Sequence, residues 1–159
     1  MTAPNLEQST AARSAGRLSD FFADTDAEFG IFYPKQYLLA SFRNLEDAEH
    51  ARQLLSGSGW GTHEVISVSG AEVVEFAEEH LLKHGLWGAL MTKVSRMIGT
   101  EAAYADQDLA AAKLGTAFLA VHCPAEDAKR AAWEILEPTH PLMARYYSAG
   151  GIEHLAGEN

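Results

Sequence analysis

Two stretches of the chain, "YLLASF" from Tyr37 and "AFLAVH" from Ala117, are almost continuously apolar over the length of a strand. Each leads to an acidic opening, Glu46 and Asp47 in one case and Glu126 and Asp127 in the other. Carboxylates there favour the positive end of a helix dipole. Apolar positions then recur at helical spacing: Ala48, Ala51 and Leu55 in the first copy, Ala128, Ala131 and Ile135 in the second. At a constant offset of 80, Tyr37–Ser56 and Ala117–Leu136 align without a gap. Leu39 falls on Leu119, Ala40 on Ala120, and Glu46, Asp47 and Ala48 on Glu126, Asp127 and Ala128. The shared strand-to-helix junction points to an internal duplication.

A second strand is expected after each helix. The turn cluster "SGSGWG" precedes "HEVISVS", and Pro138 and Pro141 stop the other helix before "ARYYSAGGIEHL". If the latter is one strand, Tyr146 and Tyr147 face opposite sides of the sheet, and Gly150 and Gly151 permit a bulge or a close approach. Two β-α-β units in one antiparallel sheet give an α+β, ferredoxin-like architecture. Between the halves, Gly70 to Gly115 reads as a helical insertion, with Ser69 as a cap and Gly99 and Thr100 as a break. The expected organisation is a flexible N-terminal tail over 1–17 and a single domain over 18–159. Within that domain, 37–69 is the first half, 70–115 the insert and 116–155 the second half. A strand with one wet face alternates, and these do not. Both faces of the sheet must therefore be covered, one by the repeat helices and the other by the insert or a second subunit.

Composition narrows the partners. The 159 residues carry a formal net charge of -10, a field that repels phosphate backbones and argues against nucleic-acid binding. No polybasic segment suits an anionic membrane, and "LLKHGLWGALM" is too short to span one. The single cysteine, Cys123, rules out an intrachain disulfide and suits a reducing compartment. "MTAPNLEQSTAARSAGR" lacks the apolar core of a signal peptide, so the expectation is a cytoplasmic protein.

Candidate chemistry is sparse. In "EFAEEHLLKHGLWG", His80 and His84 stand one helical turn apart and could share a metal ion. His84 falls about 20° from Ala77 at 100° per residue, inside the stripe of Val73, Val74, Ala77 and Leu81. The zincin pattern needs a glutamate directly after the first histidine, and Leu81 stands there, so the competing reading is two histidines lining an internal or subunit contact. The glycines of "SGSGWG" follow a helix, whereas phosphate loops precede one; Gly57 or Gly59 is better read as a helix end and Trp60 as core. His122 and Cys123 are neighbours on a strand and face opposite ways, which makes Cys123 a buried thiol rather than a nucleophile. No catalytic triad order, nucleotide fingerprint or cofactor motif is present.

The pattern "LLASFRNLEDAEHARQLLSGSGWGTHEVISV" resembles the bacterial general-stress-protein (heat-induced stress protein) domains, in which a strand, an acidic helix start and a glycine turn lead to a second strand. Glu46, Asp47, Ala48, Leu55, Gly59 and Val65 carry the resemblance over Tyr37–Ser69, with an echo at Ala117–Leu136. The family's middle segment is glycine-rich and apolar, whereas here it is charged and helical. The resemblance implies a small bacterial accessory protein with no catalytic residues to carry over. The functional expectation is a non-enzymatic, homodimeric binding or stress-related regulatory module with a possible small-molecule ligand. The rival is a metal- or haem-dependent enzyme with its pocket between insert and sheet, using His80, His84 and Trp87 opposite Tyr146 or Tyr147.

Overall fold

The structure, a computed structural model, describes residues 17, 18, 20–22, 34–83 and 99–157, the side chains of 79–83 and 99–105 excepted. In chain order the elements are β1 (Tyr37–Phe42), α1 (Leu45–Gly57), β2 (Val65–Val68), α2 (Gly70–Lys83), α3 (Gly99–Lys113), β3 (Ala117–His122), α4 (Glu126–Leu136), a 3-10 turn (Glu137–Thr139), β4 (Met143–Ser148) and β5 (Gly151–Ala156). The architecture is α+β: five strands in the order β2-β3-β1-β4-β5, every neighbouring pair antiparallel.

The fifth strand corrects one expectation. "ARYYSAGGIEHL" is a hairpin, not a single strand, because the chain reverses at Ala149 and Gly150. Ser148 closes the turn, its Oγ donating to the Gly151 carbonyl at 2.8 Å and accepting from the Gly150 N–H. Gly151 sits at φ 144, a backbone angle that side chains resist. The sheet thus exceeds the four strands that two β-α-β units supply, with β5 added beside β4.

Local chemistry fixes the helix starts. The Asn44 side chain accepts from the Asp47 N–H at 2.8 Å and caps α1. At α2, Ser69 Oγ accepts from the Glu72 N–H, while a Glu72 carboxylate oxygen accepts from the Ser69 N–H at 2.7 Å, a reciprocal capping box. Gly59 follows the end of α1 at φ 103, as the turn requires.

Side chains alternate between two cores. One contains Leu38, Ala40 and Phe42 of β1 and Leu119 and Val121 of β3, closed by Ala48, Ala51 and Leu55 of α1 and Ala132 and Leu136 of α4. The other contains Leu39, Ile66, Val68, Phe118, Ala120 and Tyr147, packed by Phe76 of α2, Ala112 of α3 and Leu18. The protein's own helices α2 and α3 therefore cover the second face. Phe76, absent from the stripe read in the sequence, is buried and anchors the described part of α2. On this face the Asp108 carboxylate of α3 pairs with the Arg145 guanidinium of β4, which is 2% exposed.

Between the two strand-helix segments, burial matches at a separation one residue longer than the sequence alignment. Leu38 corresponds in environment to Leu119, Ala40 to Val121, Ala48 to Lys129, Ala51 to Ala132 and Leu55 to Leu136, a constant separation of 81. The helix caps, Asn44 and Ala125, keep the same separation. The offset of 80 favoured by sequence identity would place Ala131 in the core, but Ala131 is exposed. A slip of one residue exchanges the two faces of a strand, which is why the two offsets match different burial.

Candidate functional site

A groove of about 1070 Å³ opens beside the edge strand β2. Its floor and walls come from distant parts of the chain: Val65, Ile66 and Ser67 of β2, Tyr37 at the start of β1, His122 at the end of β3, Glu49 and Arg52 of α1, and Arg17 with Phe21. Lys35 and His63 stand at its mouth, and both are exposed.

Strand register creates the aromatic side of this groove. Tyr37 is paired directly with His122 across β1 and β3, and their rings lie 4.8 Å apart at 33°. Phe21 and Phe22 meet the Tyr37 ring edge-on at 5.5 and 5.1 Å. The Tyr37 hydroxyl donates to the Phe21 carbonyl at 3.4 Å. Gln36 holds the chain at φ 70, where its N–H donates to the Tyr147 carbonyl and its own carbonyl accepts from the Cys123 N–H, both at 2.7 Å. These two bonds clamp the start of β1 between β4 and the end of β3.

Paired charges line the opposite wall. Arg52 donates to the Glu49 carboxylate through Nε and Nη2, and the Ser67 hydroxyl donates to the same carboxylate. Chiefly through the Arg52 bond, and against the opposing effect of burial, Glu49 is lowered to about 2. Arg17 Nη2 donates to the backbone carbonyl of Ser67 at 3.1 Å and to Glu72 at 2.9 Å. Among the described residues, three cations, Arg17, Lys35 and Arg52, and two carboxylates, Asp20 and Glu49, line the groove, with Glu72 paired to Arg17 beside it, on a chain whose formal net charge is -10. Lys35 makes no ion pair among the described residues.

Of the residues singled out in the sequence, His122 lines this groove, whereas Cys123, Tyr146 and Tyr147 do not. His80 lies in α2 with its side chain outside the described residues, and His84 and Trp87 lie wholly outside them. Tyr146 and Tyr147 point to opposite faces as expected, and both are buried. The Tyr146 hydroxyl donates to the Cys123 carbonyl at 2.7 Å, and burial raises its pKa. Cys123 is fully buried, and burial pushes its thiol up to about 12. Among the described residues, no group of three or more histidine, cysteine or acidic side chains could hold a metal ion. No described helix is long and apolar enough to cross a membrane.

Sequence reasoning missed Arg17, Lys35, Glu49, Arg52 and His63. One signal was available: Glu49 and Arg52 stand three apart on the helix, the spacing of a surface ion pair. That spacing gives no hint that Ser67 joins them. No family model, curated protein or solved structure matches the chain.

Proposed function

We propose that the protein is a non-enzymatic binding module whose ligand occupies the groove beside β2. The observation that carries this reading is the groove itself, about 1070 Å³ and lined by hydrogen-bonding side chains around an aromatic shelf. Concave sites with a few convergent polar groups are where ligands bind. Glu49 and Arg52 are committed to each other, and the buried Cys123 thiol lies in the core on the far side of its strand from His122. Binding, rather than bond-making, is the chemistry these groups suit.

Strand pairing supports a duplicated, ferredoxin-like core beneath this site. The first four strands run β2-β3-β1-β4, each half is a strand, a helix and a strand, and α2 and α3 interrupt the halves. β5 is then an addition at the β4 edge. The resemblance of Tyr37–Ser69 to stress-protein domains favours a regulatory role. A homodimer would use a surface away from the sheet face that α2 and α3 occupy.

Amide-resolved NMR titration with a fragment set tests the reading. A ligand of this site is expected to move the Tyr37, Ser67 and His122 signals together and to saturate. Saturable shifts confined to other parts of the molecule, or turnover of the added compound, would overturn it.

A further inference from the structure

We infer that the outer edge of β2 is a strand-addition site for an extended peptide carrying an acidic side chain, an inference that rests on the groove being the binding site. The edge geometry comes first. In a strand, the N–H and C=O of one residue point to the same side, and successive residues alternate. The Glu64 carbonyl accepts from the His122 N–H, so Glu64, Ile66 and Val68 face β3. Val65 and Ser67 therefore face outward, and the Ser67 carbonyl meets Arg17 there.

The other edge of the sheet shows what such positions do. At the separation of 81 that relates the two halves, Val65 corresponds to Tyr146 and Ser67 to Ser148. Those two residues pair with β5, Tyr146 opposite Glu153 and Ser148 opposite Gly151. β5 thus supplies to β4 a strand for which the groove, among the described residues, leaves space beside β2. An added strand of four residues, matching β2, would run about 13 Å and lie about 4.8 Å away.

The walls state the partner's chemistry. On one side Ile66, Phe21 and Tyr37 offer an apolar and aromatic surface for one side chain. Lys35, exposed and without an ion pair among the described residues, offers a cation at the mouth. Arg17 holds the Ser67 carbonyl through a half-exposed side chain, a bond that an incoming backbone N–H can replace. Main-chain bonds then give affinity, while the apolar and cationic positions select the sequence.

The test uses the full chain and three capped hexapeptide probes. The first alternates valine and threonine with one glutamate, the second is the same peptide N-methylated at alternate residues, and the third carries lysine for glutamate. The glutamate peptide is expected to shift the Val65 and Ser67 amides saturably and to slow their hydrogen exchange. N-methylation should weaken it about thirtyfold, the effect of losing two net hydrogen bonds. Lys35→Glu, a change at an exposed side chain, should reverse the preference between the glutamate and lysine peptides. Equal binding of the N-methylated peptide, or unchanged exchange at Val65 and Ser67, would overturn strand addition. If a small molecule fills the groove while no peptide does, this inference falls and the binding-module reading stands. If neither perturbs the groove, both fall.

Discussion

Burial and pairing act against each other on two carboxylates of this protein, and a different one wins at each. At Glu49 the Arg52 hydrogen bond dominates and holds the group at about 2, below its usual 4.5. At Asp108 burial dominates and pushes it up to about 6 from 3.8, although the Arg145 guanidinium opposes the shift. The two therefore tilt stability in opposite directions with pH. Asp108 binds its proton more tightly folded than unfolded, so its contribution is fully present below about 3.8 and is lost as pH rises through about 6. Glu49 contributes above about 4.5 and loses that contribution as pH falls through about 2. Urea midpoints between pH 4 and 7 are expected to show a component that declines with rising pH and disappears in Asp108→Asn. Removing the carboxylate with Asp108→Ala should cost about 3 kcal/mol, since it strips a counter-charge from the buried Arg145. A denaturation curve coincident with that of the unaltered protein would rule out an energetic role for the pair. Cys123 gives a second check at this scale. Its thiol, raised to about 12 by burial, should react with a thiol reagent at pH 8 only as fast as the protein opens.

At the scale of the elements, the start of α2 is fixed by two features of different kinds. The Ser69–Glu72 capping box satisfies the first backbone donors, and Ser69→Ala should cost about 1 kcal/mol. Gly70 lets α2 approach the end of α3: a Cβ there would lie 2.2 Å from the Ala112 carbonyl oxygen and 2.8 Å from that of Thr116. Both obstacles are backbone, so neither can swing aside. Gly70→Ala should therefore cost about 3 kcal/mol through forced separation of the helices. Thermal melts of the two variants provide the measurement, and the order of the losses is the informative part. Were Ser69→Ala the more damaging, the close approach of α2 and α3 would be energetically slack.

Across the whole molecule, the five strands are shared by two cores, and the strands transmit the loss of either one to the other. Leu55→Ala empties space under α1, and Phe76→Ala empties space under α2. Each should cost about 3 kcal/mol. Because both cores rest on the same strands, each variant should still unfold in one transition when followed by tryptophan fluorescence and by circular dichroism. Two separated transitions would mean that α2 and α3 form an independently melting layer. The sequence determined a good part of this arrangement. The unbroken apolar runs of β1 and β3 require cover on both faces, and the acidic starts of α1 and α4 place those helices within a residue or two. The opposed orientations of Tyr146 and Tyr147 follow from strand geometry alone. Tertiary structure decided the rest. Identity between Ala-rich segments favours an alignment at 80, whereas burial matches at 81, with Ala132 buried and Ala131 exposed. It also folded the last segment into a hairpin, because Ala149 and Gly150 can turn and an edge of β4 was open to receive β5. The groove was the least legible feature. Arg17, Tyr37, Ser67 and His122 span more than 100 positions of the chain, and none has a distinctive local spacing. They become one site only when β2 takes its place at the sheet edge, since proximity between distant residues is created by strand pairing and packing and leaves no periodic trace in the sequence.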